Sequence, residues 1–275
     1  MKIIILGSGG VTSIPRPTCV CLVCKEARKK GIPYARTGTC LYEESGGVLF
    51  DMPTEVREQL NREHISKINH IILTHWHPDH TLGIRTLMEL NWNYDEGKPY
   101  GPTLPVYISH QQYVWFKEKS CGSFLDYYVK LGLIKIIWMK HKKPIIARKT
   151  TIIPYLINHT KGFYFLIKDG DKKIVYLPCE YHKVTIDPEI KDIDVFITHN
   201  LFWENKAVSP RKNPPKDEDT FEKMIMDAQQ MEAKKIYLTH IEETFKLGHD
   251  KLNKQLKKYY PGVPVKAGYD GMVIS

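Results

Sequence analysis

No stretch of this 275-residue sequence approaches the ~18 consecutive apolar residues that a membrane-spanning helix requires, so no membrane partner is expected. The start, Met1-Lys2 followed by Ile3, Ile4, Ile5 and Leu6, is too short for an export-signal core and lacks a small-residue cleavage site. With Gly7-Ser8-Gly9-Gly10 behind it, it reads as a buried first strand and its turn. No unit of about 20 to 50 residues repeats, and no low-complexity tract is present. Cysteine is sparse, at positions 19, 21, 24, 40, 121 and 179. Without export these thiols should stay reduced in the cytoplasm, where clustered cysteines serve metals rather than disulfides. Acidic residues fall short of basic ones, 31 against 40, and the net +9 suits an anionic substrate without separating a nucleic acid from a small phosphate ester. The 42% hydrophobic and 26% charged residues exclude a disordered or collagen-like chain and leave a globular protein of one or two domains.

What does recur is an apolar run ending in a residue able to bind metal. Residues 71–75 read Ile-Ile-Leu-Thr-His, 195–199 Val-Phe-Ile-Thr-His and 236–240 Ile-Tyr-Leu-Thr-His. Tyr155 to His159 and Val175 to Cys179 follow the same theme. Such short runs, rich in Ile, Val and Tyr, are strand-like. They therefore deliver His or Cys to strand ends, where layered α/β proteins build ligand sites. Helical spacing covers 54–62, 81–91, 121–132 and 218–233, and the alternation in the second half favours a sheet covered by helices. Two stretches, Asn91 to Pro105 and Asn205 to Lys216, read as long loops.

The chemistry concentrates in Thr74-His75-Trp76-His77-Pro78-Asp79-His80. His75 and His77, two apart on an extended segment, face one side, and Pro78 forces a turn before Asp79 and His80. Imidazoles and a carboxylate suit Zn²⁺, and a turn can divide such donors between two ions. Cys19, Cys21 and Cys24 are too tightly spaced for an ordinary Cys-x-Cys disulfide, so a closed tetrahedral zinc in a loop at about 15–30 is the better account. Cys179 reads either as a metal ligand or as a buried small hydrophobe.

His-x-His-x-Asp-His after an apolar strand resembles the metallo-β-lactamase superfamily. Leu49-Phe50-Asp51 is similar to its strand-end Asp, and Gly268-Tyr269-Asp270-Gly271-Met272 to a C-terminal signature of its phosphodiesterase members. The opening Gly-rich turn with Cys19-x-Cys21-x-x-Cys24 is most similar to PhnP-type cyclic phosphodiesterases and PqqB proteins, with RNase Z more distant. The resemblance implies a four-layer αβ/βα sandwich, one domain over 1–275. It implies one metal held by His75, His77 and His159, a second by Asp79, His80 and His240, and a separate structural zinc on the three thiols. The cofactors are then Zn²⁺, one structural and one or two catalytic, with Mn²⁺ admitted at the catalytic site.

Where the PhnP-type pattern has a bridging Asp, this chain has Cys179, with Glu180 or His182 as substitutes. The pattern's fourth thiol-site ligand is a His where Glu243 stands, so Glu243, His249 and Cys40 are all candidates. His199 is the candidate general acid, with a structural hydrogen-bonded His as the alternative. The expected activity is hydrolysis of a cyclic ribose or nucleotide phosphodiester through a metal-bound hydroxide, with ions roughly 3.5–4 Å apart and Asp79 and His199 as the catalytic residues. The alternatives are an RNase Z-like endoribonuclease and a non-catalytic zinc-stabilised scaffold or carrier. The expected partner is a small phosphodiester; nucleic acid is not favoured, and a homodimer is admitted.

Overall fold

The computed structural model describes residues 1–179, 183–200 and 220–275. The chain fills one sheet, crosses to a second, and returns. Strands β1 (Ile3–Gly7), β2 (Cys40–Glu43), β3 (Val48–Phe50) and β4 (His70–Ile72) come first, followed by a small hairpin of β5 (Trp92–Asn93) and β6 (Lys98–Pro99), then β7 (Leu104–Ile108) and β8 (Ile134–Trp138). The second sheet is built from β9 (Ile145–Ala147), β10 (Thr150–Leu156), β11 (Phe163–Asp169), β12 (Lys172–Leu177), β13 (Val195–His199), β14 (Ile236–Thr239) and β15 (Val265–Ala267). The last strand, β16 (Met272–Ile274), rejoins the first sheet against β1. The spatial orders are β16-β1-β2-β3-β4-β7-β8 and β15-β14-β13-β12-β11-β10-β9.

Period-two alternation explains why four layers form. Ile3, Ile5, Leu41, Phe50 and Ile72 of the first sheet pack against Phe165, Ile167, Tyr176 and Ile197 of the second. Phe50 meets Phe165 and Tyr176 edge-on, with ring centroids 5.3 and 5.4 Å away. The alternate residues of the first sheet, among them Ile4, Leu6, Leu49 and Ile71, face helices instead. Those helices include α2 (Val56–Arg62), α5 (His110–Lys119) and α6 (Ser123–Lys130), which bury Val56, Leu60, Phe116 and Leu125. Val175, Phe196 and Leu238 on the outer face of the second sheet pack on α7 (Phe221–Gln230) and α8 (His249–Tyr259) through Phe221, Met224, Leu252 and Leu256. The result is the expected αβ/βα sandwich, with helices over the outer face of each sheet.

All five apolar runs that end in a metal-binding residue lie on strands, β4, β10, β12, β13 and β14. The helix expected over 81–91 is instead three short pieces: α3 (Pro78–Thr81), a 3-10 turn at Leu82–Arg85 and α4 (Thr86–Asn91). Gly83 explains the close packing there, because a Cβ on it would lie 2.1 Å from the Pro53 carbonyl oxygen. The 91–105 stretch contains the β5–β6 hairpin rather than being wholly a loop. The 205–216 stretch, Glu180 and His182 lie outside the described residues. Helix α1 (Leu22–Lys30), with α5 and α8, was not anticipated from spacing. Among the described residues, no helix is long and apolar enough to cross a membrane.

Candidate metal centre

Strands β3, β4 and β7 run parallel in the first sheet, and β12, β13 and β14 run parallel in the second. Their C-terminal ends carry Asp51, the His75–His80 loop, Cys179, His199 and His240. Asp51 and His240 each follow a strand with φ of 66° and 54°, in the left-handed region that Asp and His tolerate better than most residues. That reversal turns their side chains off the sheet as the strand ends. The opening Gly-rich turn closes over this end, and a Cβ on Gly10 would come within 2.7 Å of His240 Nδ1. A larger residue there would push the turn off the histidine.

Asp51 organises the loop from beneath. Its carboxylate accepts hydrogen bonds from the Thr74 backbone N–H and Thr74 hydroxyl, each at 2.8 Å, and its Oδ2 lies 2.7 Å from His80 Nδ1. Fixing Nδ1 leaves Nε2 of His80 to face the centre, and that buried atom has no hydrogen-bond partner. His75 Nδ1 lies 3.0 Å from the Thr74 hydroxyl, and His75 Nε2 lies 3.1 Å from His77 Nδ1. The two rings therefore share one side, as their spacing predicted. Asp79 Oδ2 stands 3.4 Å from His80 Nε2 and 3.3 Å from His240 Nε2.

Among the described residues two groups of donor atoms result here, each with its atoms within 4.8 Å of one another: His75, His80 and Cys179, and Asp79, His80 and His240. The second is the triad the resemblance implied. The first departs from it, because Cys179 and His80 stand with His75, whereas His159 is exposed in the turn after β10 and His77 is half-buried. The half-buried ring of His199 lies 4.3 Å, centroid to centroid, from His240, and its buried Nδ1 has no hydrogen-bond partner. Three buried or half-buried imidazoles, His80, His199 and His240, thus each hold a ring nitrogen without a hydrogen bond. Such orphaned nitrogens beside a carboxylate and a thiol fit divalent zinc.

The electrostatics of these side chains follow from their crowding. Burial disfavours the charged His80 ring, but the carboxylates of Asp79 and Asp51 outweigh it and hold its pKa well above the usual value. Burial likewise opposes charge on His240, and Cys179 and Asp79 overcome it and raise the pKa to about 10. Burial pushes the Cys179 thiol up, but the His240 charge and hydrogen bonds from His240, His75 and His77 bring it well below 9. Burial and repulsion by His240 push the pKa of His199 down to about 3, which favours its neutral ring. At pH 7, metal uptake at the His80 and His240 positions should therefore displace a positive number of protons, in addition to those the Cys19, Cys21 and Cys24 thiols release. Calorimetry in buffers of different ionisation enthalpy measures that number.

Gln112 was not singled out from sequence. It is fully buried; its Oε1 accepts from the Trp76 backbone N–H at 2.8 Å, and its Nε2 donates to the Thr160 carbonyl at 2.7 Å. One side chain thereby joins the His75–His80 loop to the turn carrying His159. The signal was present in Ser109-x-x-Gln112 after a strand, a helix-start pattern; Ser109 does cap α5, accepting from Gln112 N–H at 3.1 Å. Gln112→Ala is expected to lower metal affinity or turnover about 10–100-fold with little change in the circular dichroism spectrum.

The three clustered thiols lie together at the start of α1, with all sulfurs within 4.8 Å. The Cys24 N–H donates to Cys21 Sγ and the Arg16 N–H to Cys24 Sγ, each at 3.4 Å. Hydrogen bonds from the Cys21 backbone and thiol lower the Cys19 thiol to about 7, while burial raises Cys24 to about 11. Two of the fourth-ligand candidates are engaged elsewhere. Cys40 donates to the Asp51 carbonyl inside the core, and His249 Nδ1 lies 3.0 Å from Arg36 Nη2. Glu243 is nearer the thiols in connectivity, being 3.1 Å from Arg16 Nη1 and accepting from the Thr12 hydroxyl. Its carboxylate is thus held by Arg16 and is not grouped with the sulfurs.

Residues 47–241, most of the chain, match the Beta-lactamase superfamily domain. The chain belongs to the metallo-β-lactamase superfamily. It is a superfamily of metal-dependent hydrolases that bind divalent metals, zinc being the typical one. Among solved structures, a new diphosphatase from the PhnP family is similar over 100% of this chain and 97% of its own, at 23% identity and TM-score 0.75. Zn²⁺-bound PqqB from Methylobacterium extorquens is similar over the whole of both chains, at 17% identity and TM-score 0.73. Human tRNase Z, short form, covers 100% of this chain and 99% of its own, at 16% identity and TM-score 0.64. At these identities the likeness establishes the fold. An octanoyltransferase from Porphyromonas gingivalis is 26% identical over 161 residues, 58% of this chain but only 31% of that protein's length.

Proposed function

We propose that this chain is a metal-dependent phosphodiesterase acting on a small cyclic phosphate of ribose or a nucleotide. The observation that carries this reading is the pair of donor groups sharing His80, in which His80 and His240 each hold a ring nitrogen without a hydrogen bond. His75, His77, His80, His240, Asp79 and Cys179 would hold up to two divalent ions, with His159 and His199 available at the margin. When bound, the ions would supply an activated water and neutralise charge on the phosphoryl group. The chain's own residues do the rest. Asp51 and Thr74 hold the loop rigid, Asp79 orients His80 and His240, and Gln112 fixes the approach of the His159 turn. The thiols Cys19, Cys21 and Cys24 would hold a separate structural zinc whose fourth donor Glu243 does not supply in this arrangement.

The PhnP-family diphosphatase supports a phosphate-bearing substrate, and the Zn²⁺-bound PqqB supports zinc. The test combines metal analysis of the purified protein with a panel of cyclic and linear phosphodiesters and diphosphates. Two or three metals per chain and turnover of a cyclic phosphodiester are expected, with one metal lost in Cys24→Ser. His75→Ala should lose turnover and metal together. Unchanged turnover of a generic aryl phosphodiester by that variant would sink the proposal.

A further inference from the structure

We propose that the cleft along the edge strand β15 is a binding site for a nucleotide, a ligand that combines phosphate charge with a planar ring, and that it is separate from the metal centre. The site goes beyond the phosphodiesterase reading and does not rest on it.

Strand β15 forms one edge of the second sheet, beside β14. Ile236 and Leu238 of β14 pack on the helical layer, and so do Val265 and Ala267 of β15. Period-two alternation therefore puts Lys235, Tyr237 and Lys266 on the other face. Helix α8 buries Leu252 and Leu256, while Asn253 and Lys257, each one residue further along, border the strand edge. Asn253 Oδ1 accepts from the Ala267 N–H at 2.9 Å, which ties the helix to the edge and preforms the wall. The resulting cleft has a volume of about 810 Å³, within the ~300–1,000 Å³ typical of small-molecule sites. Lys235 stands at the start of β14, whose other end delivers His240. Those five residues of strand span about 16 Å, so the cleft and the metal centre are different places.

The lining of the cleft is one-sided in charge. Lys234, Lys235, Lys257 and Lys266 border it, and none of its lining residues is acidic. Lys234 is paired with Asp194 at 2.9 Å. Among the described residues Lys235, Lys257 and Lys266 form no ion pair, so three ammonium groups border one concavity without a counter-charge. Lysine is a point-charge ligand for phosphate, and its hydrogen bonds to an anion are charge-assisted. Tyr237, Tyr260, Tyr269 and His249 add flat ring surface. Tyr269 meets His249 edge-on, with centroids 5.8 Å apart. Ring faces of this kind accept a base by stacking. A bare anion would use the lysines alone, and an apolar ligand the rings alone. A nucleotide uses both.

The test titrates ADP, and inorganic pyrophosphate as the ring-free control, into the protein by isothermal titration calorimetry. Wild type and His75→Ala are each measured with and without the paired replacements Lys257→Ala and Lys266→Ala. Both lysines are exposed, so the pair should leave the circular dichroism spectrum, bound metal and any phosphodiester turnover unchanged. In His75→Ala, which disables the metal centre, ADP should still bind with a Kd below about 1 mM. The lysine replacements should weaken that binding about tenfold or more. Pyrophosphate should bind at least about tenfold more weakly than ADP, because it has nothing to stack. If His75→Ala does not fold, the same weakening by the lysine pair in wild type, at unchanged turnover and metal content, carries the test. ADP binding that is lost in His75→Ala and kept in the lysine variant belongs to the metal centre and overturns the proposal. So does the absence of saturable binding, or pyrophosphate binding as tight as ADP. If no phosphodiester is hydrolysed but ADP binding depends on the lysines, the phosphodiesterase reading fails and the nucleotide site stands.

Discussion

His80→Ala is expected to lower phosphodiester turnover by on the order of 10³-fold or more and to empty both ion positions, a larger loss than for any other histidine of the loop. His80 is the one residue common to both donor groups, is fully buried, and is anchored through Nδ1 on Asp51. Its loss removes a donor from each group at once and leaves the buried Asp51 carboxylate facing a cavity. Metal-supplied transition-state stabilisation of several kcal/mol, at ~1.4 kcal/mol per decade of rate, sets the scale. Turnover and bound metal per chain are read together, with circular dichroism reporting the fold. His77→Ala, with His77 in neither group, should retain more metal than His80→Ala. Equal loss in the two variants would contradict the shared role of His80.

Asp270→Ala should destabilise the folded protein by about 3–5 kcal/mol, the scale for removing one partner from a buried charged network. Asp270 is 2% exposed and draws the two ends of the chain together. Its carboxylate accepts from the Ser8 N–H and hydroxyl and from the Thr37 N–H, each at 2.8 Å, and lies 3.5 Å from Arg62. Beside it, Arg36 is also 2% exposed, donates to the Ser8 hydroxyl at 2.7 Å, and has its pKa lowered to about 10 by burial despite the Asp270 charge. Alanine would leave that guanidinium without its counter-charge and orphan the Ser8 and Thr37 donors. With ~5–15 kcal/mol of total stability in a typical domain, the effect is large. Urea unfolding measures it, and a loss below about 1 kcal/mol would show that water replaces the carboxylate. The same network explains the Gly268–Met272 segment in physical terms. It seats the Gly-rich turn, Ser8 to Gly10, against His240, so unfolding of the C-terminal strand should also loosen the metal centre.

Much of this was legible because it is local. Runs such as Ile71 to His75 and Ile236 to His240 declare strands by composition and place a donor at the strand end, and Pro78 declares the turn between His77 and Asp79. Helix α1 was illegible because its cap is a thiol, Cys21 Sγ accepting from Cys24 N–H, in place of the usual Ser, Thr, Asp or Asn. The helix expected over 81–91 is interrupted by a 3-10 turn at Leu82–Arg85, where Gly83 lets the chain pass close to Pro53.

The sequence by itself determined the inventory: which strands form, which ends bear imidazole, carboxylate and thiol, and that three thiols cluster near residue 21. Only the tertiary structure decided the partnerships. Spacing along one strand cannot say which ring from another sheet lies opposite, so it could not group Cys179 with His75 and His80, free Cys40 and His249 from the thiol site, or find Gln112 between two loops. Those pairings depend on how two parallel strand sets face each other across the aromatic layer of Phe50, Phe165 and Tyr176, a contact between residues more than a hundred positions apart.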